Sequence, residues 1–326
     1  MRIFLTGGAG YIGSACAQLL VEAGHQVTVY DALITGHEAA VPRGARLVRG
    51  NLEEVEKLQL LLQEGQFDGV MHFAGSIEAG ESMRQPGKYF ANNVGNSLHL
   101  IEAACHAGIR RLVFSSTAAV YASSDAPLRE DSLLGPSNVY GQSKLMTEQI
   151  LQWYSRTQEL HYAALRYFNA AGALPGRGED HPGESHLIPL VLRVALGQSE
   201  NAQVFGADYP TPDGTAIRDY IHIEDLVSAH LLALNALARE TELVYNLGNG
   251  QGYSVREVVQ AARRVTGHAI PSVDCPRRPG DAPRLVASAE RARQELGWQP
   301  RHPSIEEIIA SAWEWHHSHP FGYSGR

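Results

Sequence analysis

Apolar residues along the first half of the chain alternate between two rhythms. Short apolar runs, bounded by glycine or polar residues, read as buried strands at residues 3–5, 26–30, 46–50, 67–73, 111–114 and 162–168. Between them the apolar positions fall at helical spacing. Ile12, Cys16, Leu19 and Leu20 form one such stripe, which Gly24 stops; Val55, Leu58, Leu61 and Leu62 form another, which Gly65 stops. Longer helices are predicted over 87–107, opened by Pro86, and over 140–157. Strand and helix succeed each other at the βαβ rhythm, which predicts an α/β fold with a doubly wound parallel sheet. Ligands of such sheets bind at the carboxyl ends of the strands, where Asp31, Asn51 and the run Ser115-Ser116-Thr117 stand. Over 170–185 the composition turns to Gly, Pro, Asp, Glu and His, and a domain change is placed there. Beyond it helices over 187–196, 223–238, 255–266 and 304–317 alternate with short strands at 203–205 and 244–246.

The first strand runs into Thr6-Gly7-Gly8-Ala9-Gly10-Tyr11-Ile12-Gly13, and a helix follows. Strand, glycine turn and helix in that order suit a pyrophosphate, because backbone N–H groups and the helix dipole converge on the turn. Gly8-x-Gly10-x-x-Gly13 fits the dinucleotide fingerprint, and Gly7-x-x-Gly10-x-x-Gly13 fits its close variant. Asp31 ends the second strand, where a carboxylate for the adenosine ribose is expected. Neither Arg nor Lys occurs from Ala32 to His37 to receive a 2′-phosphate, so NAD is favoured over NADP. The expectation is a Rossmann domain over 1–170, to which the chain returns around 215–250, and a smaller mixed α/β substrate domain over 171–326.

Composition narrows the class. A chain of 326 residues with 44% hydrophobic and 19% charged residues suits a soluble enzyme. A net charge of −8 argues against nucleic acid as partner. Three widely spaced cysteines show neither a disulfide framework nor a zinc pattern. No apolar run approaches a membrane span, and the first strand begins at residue 2. The expectation is a cytoplasmic protein without membrane or metal. His316, His317 and His319 read as a solvated helix end.

The candidate chemistry lies in Tyr140 and Lys144, four residues apart on one helix face. With 13 tyrosines and only three lysines in the chain, that spacing is uncommon by chance. An ammonium beside a phenol favours phenolate, which makes a base for a hydroxyl near neutral pH. Thr117, at the fifth strand end, can offer its hydroxyl to the same substrate oxygen.

Taken together, the glycine turn, the Ser/Thr strand end and Tyr-x-x-x-Lys resemble the extended short-chain dehydrogenase/reductase superfamily. His72-Phe73-Ala74-Gly75, Gly80-Glu81-Ser82, Asn92-Asn93-Val94, the run from Phe114 to Tyr121, Arg166-Tyr167-Phe168-Asn169, Arg218-Asp219-Tyr220-Ile221-His222, Arg277-Arg278-Pro279-Gly280-Asp281 and the ending from Trp315 to Tyr323 resemble the UDP-glucose 4-epimerases. That resemblance implies a tightly held NAD, UDP-glucose and UDP-galactose as substrates, and reversible epimerisation at C4 through a transient 4-keto sugar. It implies Tyr140 as base, Thr117 at the sugar oxygen, and Lys144 at the nicotinamide ribose. Cofactor positions are Gly7, Gly10, Tyr11, Ile12, Gly13, Asp31, Asn51, Leu52, Phe73, Ala74, Gly75, Asn92, Ser115, Tyr140, Lys144 and Tyr167. Nucleotide-sugar positions are Thr117, Tyr140, Asn169, His186, Leu187, Val204, Phe205, Arg218, Arg278, Asp281 and Leu285. A homodimer built on the two long helices is implied as well.

Some positions depart from the pattern. Asn51 replaces the Asp that usually meets adenine. Ile77 stands where many members carry a Lys, and Glu78 does not replace it, which implies a looser cofactor grip. Ala122 follows Tyr121 where Gly is common. The alternatives are another UDP-sugar 4-epimerase, acting on UDP-N-acetylglucosamine or UDP-glucuronate, a sugar-nucleotide dehydratase, or a non-catalytic NAD-sensing regulator. A dehydratase needs an acid beside the Thr, where this chain has Ala118-Ala119, and a regulator typically lacks the Tyr/Lys pair.

Overall fold

The structure is a computed structural model that describes residues 1–278 and 281–324. Seven parallel strands form the main sheet: β1 (Arg2–Thr6), β2 (Gln26–Asp31), β3 (Arg46–Arg49), β4 (Gly69–His72), β5 (Arg111–Thr117), β6 (His161–Tyr167) and, from far along the chain, β10 (Glu242–Leu247). Their spatial order is β10-β6-β5-β4-β1-β2-β3, with β4 central and the reversal of order between β4 and β1. Alternation along each strand explains the two-sided core. Ile3 and Leu5 point to one face and join Val27, Val29 and Met71 under helices α1 (Tyr11–Glu22) and α8 (Ile223–Ala236). Phe4, between them, points to the other face. There it meets Val70, Leu112 and Phe114 under α2 (Val55–Gly65), α5 (Asn96–His106) and α6 (Val139–Gln158).

The substrate-side elements form separate, smaller layers. β9 (Ile217–His222) pairs in parallel with β7 (Asn169–Ala171) and β13 (Arg284–Leu285), and antiparallel with β11 (Gly252–Ser254). β8 (Ala202–Phe205) pairs with β12 (Ser272–Cys275). Helices α7 (Leu187–Ala195), α9 (Val255–Thr266) and α11 (Ile305–Ser318) enclose a third core around Leu192, Val258 and Ile309, and the short α10 (Glu290–Glu295) packs near β10. Ser254 and Glu257 close a capping box that starts α9.

The predicted helix over 87–107 is not one helix. After α3 (Ala79–Arg84) and α4 (Pro86–Tyr89), a π-helical turn spans Phe90–Gly95 before α5 begins. The widened turn leaves the Asn93 carbonyl free to accept from the hydroxyls of Thr147 at 3.1 Å and Ser97 at 2.5 Å. Apolar spacing alone cannot register such a turn, because the side-chain rhythm on either side is preserved. Phe67 and Phe73, read as strand ends, lie outside β4; Phe67 packs on Phe4 with ring centroids 5.1 Å apart.

Candidate active site

The glycine turn is shaped by contacts that leave no room for side chains. Gly7 has φ +72°, and a Cβ there would stand 2.5 Å from the Ala74 nitrogen. A Cβ on Gly13 would stand 2.2 Å from the Gly7 oxygen, so α1 can approach β1 this closely only with glycine. Gly10 caps α1 without a side-chain hydrogen bond, and a Cβ there would meet nothing nearer than the Gly7 oxygen at 3.4 Å. The first-turn donors of α1 therefore face an open side, free of any acidic residue in that turn. Tyr11 follows with its hydroxyl bonded to the Gly172 oxygen at 2.7 Å, and Ile12 packs on the core. At the end of β2, Asp31 accepts from the N–H groups of Ala9 at 2.9 Å and Leu33 at 2.8 Å. The Asn51 side-chain oxygen accepts from the Glu53 N–H at 3.2 Å, and Leu52 is buried. This donor set, a bare helix N-terminus with a carboxylate at the next strand end, fits a dinucleotide.

The loop after β4 brings Phe73, Ala74 and Gly75 to the same edge. Phe73 lies against the His230 ring at 4.9 Å, and Gly75 approaches Asn93 and the Lys144 ammonium. Asn92 donates to the Ser76 hydroxyl at 2.9 Å, and Asn93 clamps Ser76 through its N–H and carbonyl at 2.8 and 3.0 Å. The π-helical turn aims both asparagines. Asn93 and Ser76 escape sequence reading because their use depends on that turn.

The Tyr/Lys pair is positioned by α6. Asn138 caps the helix by accepting from the Gly141 N–H at 2.8 Å. Gly141 itself is required by packing, since a Cβ there would lie 2.2 Å from the Ala119 oxygen. One face of α6 then carries Tyr140, Lys144 and Glu148 at successive turns. Glu148 forms a buried two-pronged ion pair with Arg166 of β6, at 3.0 Å to Nε and 2.6 Å to Nη2, which fixes the helix over the sheet. The Thr117 hydroxyl accepts from the Ala119 N–H at 3.1 Å and lies close enough to Tyr140 to ease loss of its proton. The Lys144 ammonium donates to the Ser115 carbonyl at 2.8 Å and lies 4.8 Å from the Phe114 ring centre. The Ser115 hydroxyl bonds the Tyr167 hydroxyl.

Beside Lys144 the Tyr140 phenol is expected to lose its proton more readily, with a pKa below 10; in the structure its pKa is raised instead. Loss of water pushes the Tyr140 phenol up to about 12, with the Thr117 hydroxyl opposing and the Glu78 charge adding to the rise. Burial also brings Lys144 down to about 8 against the pull of Glu148. Desolvation is the largest influence on both groups, and Lys144 turns its ammonium to the Ser115 carbonyl.

Residues 3–248 match the NAD dependent epimerase/dehydratase family. The chain belongs to that family. The UDP-glucose 4-epimerase of Streptomyces lividans is 49% identical to it over 327 residues, covering 100% of this chain and 99% of that protein. A crystal structure of a UDP-glucose 4-epimerase superposes with a TM-score of 0.96 at 48% identity, covering 99% of each chain. The UDP-glucose 4-epimerase from Bifidobacterium longum in complex with NAD+ and UDP superposes with a TM-score of 0.94 at 36% identity, covering 99% of this chain and 100% of that one. The cofactor of the family is NAD.

The positions assigned to a nucleotide sugar gather on the smaller layers. Asn169, on β7, donates to the Asp219 carbonyl at 2.9 Å. Arg218, on β9, is paired with Asp281, and Leu285 lies opposite Arg218 on β13. The Arg278 guanidinium covers the Phe205 ring at 4.2 Å, while the Val204 side chain is buried and offers only its backbone. Pro279 and Gly280, which complete the arginine motif, lie outside the described residues. His186 caps α7, Leu187 opens it, and the His186 ring bonds Glu184 at 2.7 Å and Glu179 at 2.9 Å. Burial opposes a charge on His186, but Glu179 and Glu184 outweigh it and hold its affinity for a proton well above the usual range. Glu78 accepts from the Ser185 hydroxyl at 2.7 Å, which ties this loop to the Tyr140 side of the site. The expected solvated tract at 316–319 is in part a packing surface, since His319 stacks on Trp315 at 5.3 Å. Glu179, His181 and Glu184 are not among the residues singled out from the sequence; the Glu-x-His-x-x-Glu-x-His spacing is the signal that could have found them.

Proposed function

We propose that the chain interconverts UDP-glucose and UDP-galactose by inverting the configuration at C4 of the hexose. The observation that carries this reading is the placement of Thr117 and Tyr140 together at the carboxyl edge of the sheet, with Lys144 one turn further on the same helix face. Full-length likeness to UDP-glucose 4-epimerases supports it.

NAD would be held by the turn from Gly7 to Gly13, by Asp31 at the ribose, and by Asn51, Leu52, Phe73, Ala74, Gly75, Asn92, Ser115 and Tyr167 along the strand ends. When bound, it supplies the acceptor and then the donor of the C4 hydride. Tyr140 removes the proton from the 4-hydroxyl and returns it to the same oxygen after the face has changed. Thr117 bonds that oxygen and keeps it within reach of Tyr140. With the phenol at about 12, proton removal near neutral pH needs a positive charge nearby, and Lys144 is the chain's own source. Arg218 and Arg278 bind the diphosphate, for which guanidinium forks are suited. Asn169, His186, Leu187, Val204, Phe205 and Asp281 line the remaining nucleotide contacts, and Leu285 faces the hexose.

The reading includes a homodimer through the outer faces of α5 and α6, supported by Trp153, which leaves 64% of its surface exposed on α6. It also places the protein in the cytoplasm. No helix among the described residues is long and apolar enough to cross a membrane, and Cys16, Cys105 and Cys275 are free thiols. Incubation of the purified protein with UDP-galactose, followed by chromatography, tests the reaction. UDP-glucose should form without net NADH. A dehydrated keto-deoxy sugar, or stoichiometric NADH, would overturn the assignment.

A further inference from the structure

The loop that leads from β7 into α7 holds a cluster of which the proposed reaction uses only His186, at the nucleotide. Glu179 is 5% exposed, and the Glu184 side chain is 1% exposed. Two carboxylates buried side by side are costly unless positive charge meets them. Among the described residues no lysine or arginine pairs with either. Imidazoles do: His181 Nε2 lies 3.4 Å from Glu179, and His186 Nδ1 lies 2.9 Å from Glu179 and 2.7 Å from Glu184. One donor atom from each of the four residues falls within 4.8 Å of all the others. The two imidazole rings are tilted about a common centre, with centroids 5.6 Å apart.

We infer that Glu179, His181, Glu184 and His186 form a four-coordinate site for a divalent ion of the zinc class. Bonds of roughly 2.0–2.2 Å to nitrogen and oxygen place tetrahedral donors about 3.3–3.6 Å apart. The measured separations of 2.7, 2.9 and 3.4 Å lie near that spacing, so small rotations of the side chains complete the shell. Two imidazoles with two carboxylates select zinc and its neighbours over calcium and magnesium, which prefer all-oxygen shells. All four positions are filled by protein, the mark of a structural ion rather than a catalytic one. The ligands span eight residues of one loop, so the ion ties a short segment to itself and fixes its exit into α7. Ser185, inside the chelated segment, bonds Glu78, whose charge bears on Tyr140. The ion would therefore set the loop that connects the nucleotide side to the base. Coordination uses His186 Nδ1 and leaves the exposed side of the ring, 42% of its surface, towards solvent.

The test uses the whole chain, and its readouts are metal content and melting temperature, which do not depend on whether the substrate is a UDP-hexose. The protein is dialysed with Zn2+, then against metal-free buffer, and zinc is counted by mass spectrometry. Wild type should keep one ion per chain, and so should His317→Gln, which alters an exposed histidine at the end of α11. The double variant Glu179→Gln/His181→Asn should keep none. Removing the ion with a chelator should lower the wild-type Tm by roughly 5 °C, with return on adding Zn2+, and should leave the Tm of the double variant unmoved. Exchange with Co2+ should give the visible absorption of a four-coordinate ion in wild type only. No zinc retained by wild type, or equal zinc in wild type and double variant, would overturn the site and leave the cluster as imidazolium–carboxylate pairs.

Discussion

In the proposed reaction Tyr140 is the proton carrier. Its phenol is raised to about 12 by loss of water, and the Thr117 hydroxyl works against that rise. Tyr140→Phe keeps the ring and its packing but removes the proton carrier. Epimerisation should fall by at least about 10²-fold, the usual loss for an acid–base group, while NAD content is retained. Product chromatography with UDP-galactose measures the first and absorbance of the denatured supernatant the second; near-normal turnover would remove Tyr140 from the role of base. Leu285 offers a second test at this scale. It packs beside Val120, Tyr121, Leu145 and Phe168, next to the start of the catalytic helix. An apolar side chain of this size is a filter of about 1–3 kcal/mol, so wild type should prefer UDP-galactose and act weakly on UDP-N-acetylgalactosamine. Leu285→Ser should raise the kcat/KM ratio of the N-acetyl sugar to the plain one by about tenfold or more, and Leu285→Tyr should abolish it. A ratio that is the same in all three proteins would mean that Leu285 does not face the hexose.

Among the elements, α6 would serve the proposed reaction on one face and the proposed dimer on the other. Its inner face holds Tyr140, Lys144 and Glu148, and the Glu148–Arg166 pair locks that face over β6. Its outer face presents Trp153, with the Arg156 guanidinium 5.7 Å from its ring. Tyr154 joins α6 to α5 by bonding Glu102 at 3.2 Å. A two-fold interface on this surface predicts a mass of twice the 35.5 kDa chain in light scattering. Trp153→Glu places a charge in the apolar contact and should shift the mass towards the monomer, with NAD content unchanged. Wild type that stays at the monomer mass across concentrations would count against the dimer.

Across the whole molecule, buried neutral histidines link stability to pH. His72 sits between the Thr6 hydroxyl at 2.7 Å and the Ser97 hydroxyl at 2.8 Å, and burial, with the nearby Lys144 charge, holds it down to about 3. His230 bonds the Leu226 carbonyl at 2.9 Å, faces the Phe73 and Tyr167 rings, and is held at about 4 chiefly by burial. Both bind a proton more readily unfolded, at about 6.5. Below that pH the unfolded chain takes up protons that the folded chain refuses, so stability falls as pH drops from about 6.5 towards 4. Each histidine contributes a slope of up to about 1.4 kcal/mol per pH unit in that window. His230→Gln should flatten the dependence of Tm on pH between 6.5 and 4 relative to wild type; an identical slope would show that His230 does not titrate as described.

Local chemistry explains what could be read without a structure. The apolar runs and their spacing dictated the parallel sheet, because a strand buried on both faces must be apolar throughout and each crossover must supply one apolar stripe. The glycine turn was legible because Gly7 and Gly13 answer to contacts within a few residues along the chain, apart from the Ala74 backbone. The Tyr140/Lys144 spacing was legible because four residues is one helical turn. Family resemblance located the strand-end and arginine positions, which no periodicity marks. Tertiary structure alone decided the rest. The π-helical turn at Phe90–Gly95 leaves the Asn93 carbonyl to the hydroxyls of Ser97 on α5 and Thr147 on α6, partners that only the tertiary structure brings to it. The pull of Lys144 towards the Ser115 carbonyl, and the raised phenol of Tyr140, come from burial that only the closed fold imposes. The cluster of Glu179, His181, Glu184 and His186 was written in the sequence at a regular spacing. It gained meaning only when the fold buried both carboxylates and turned both imidazoles onto them.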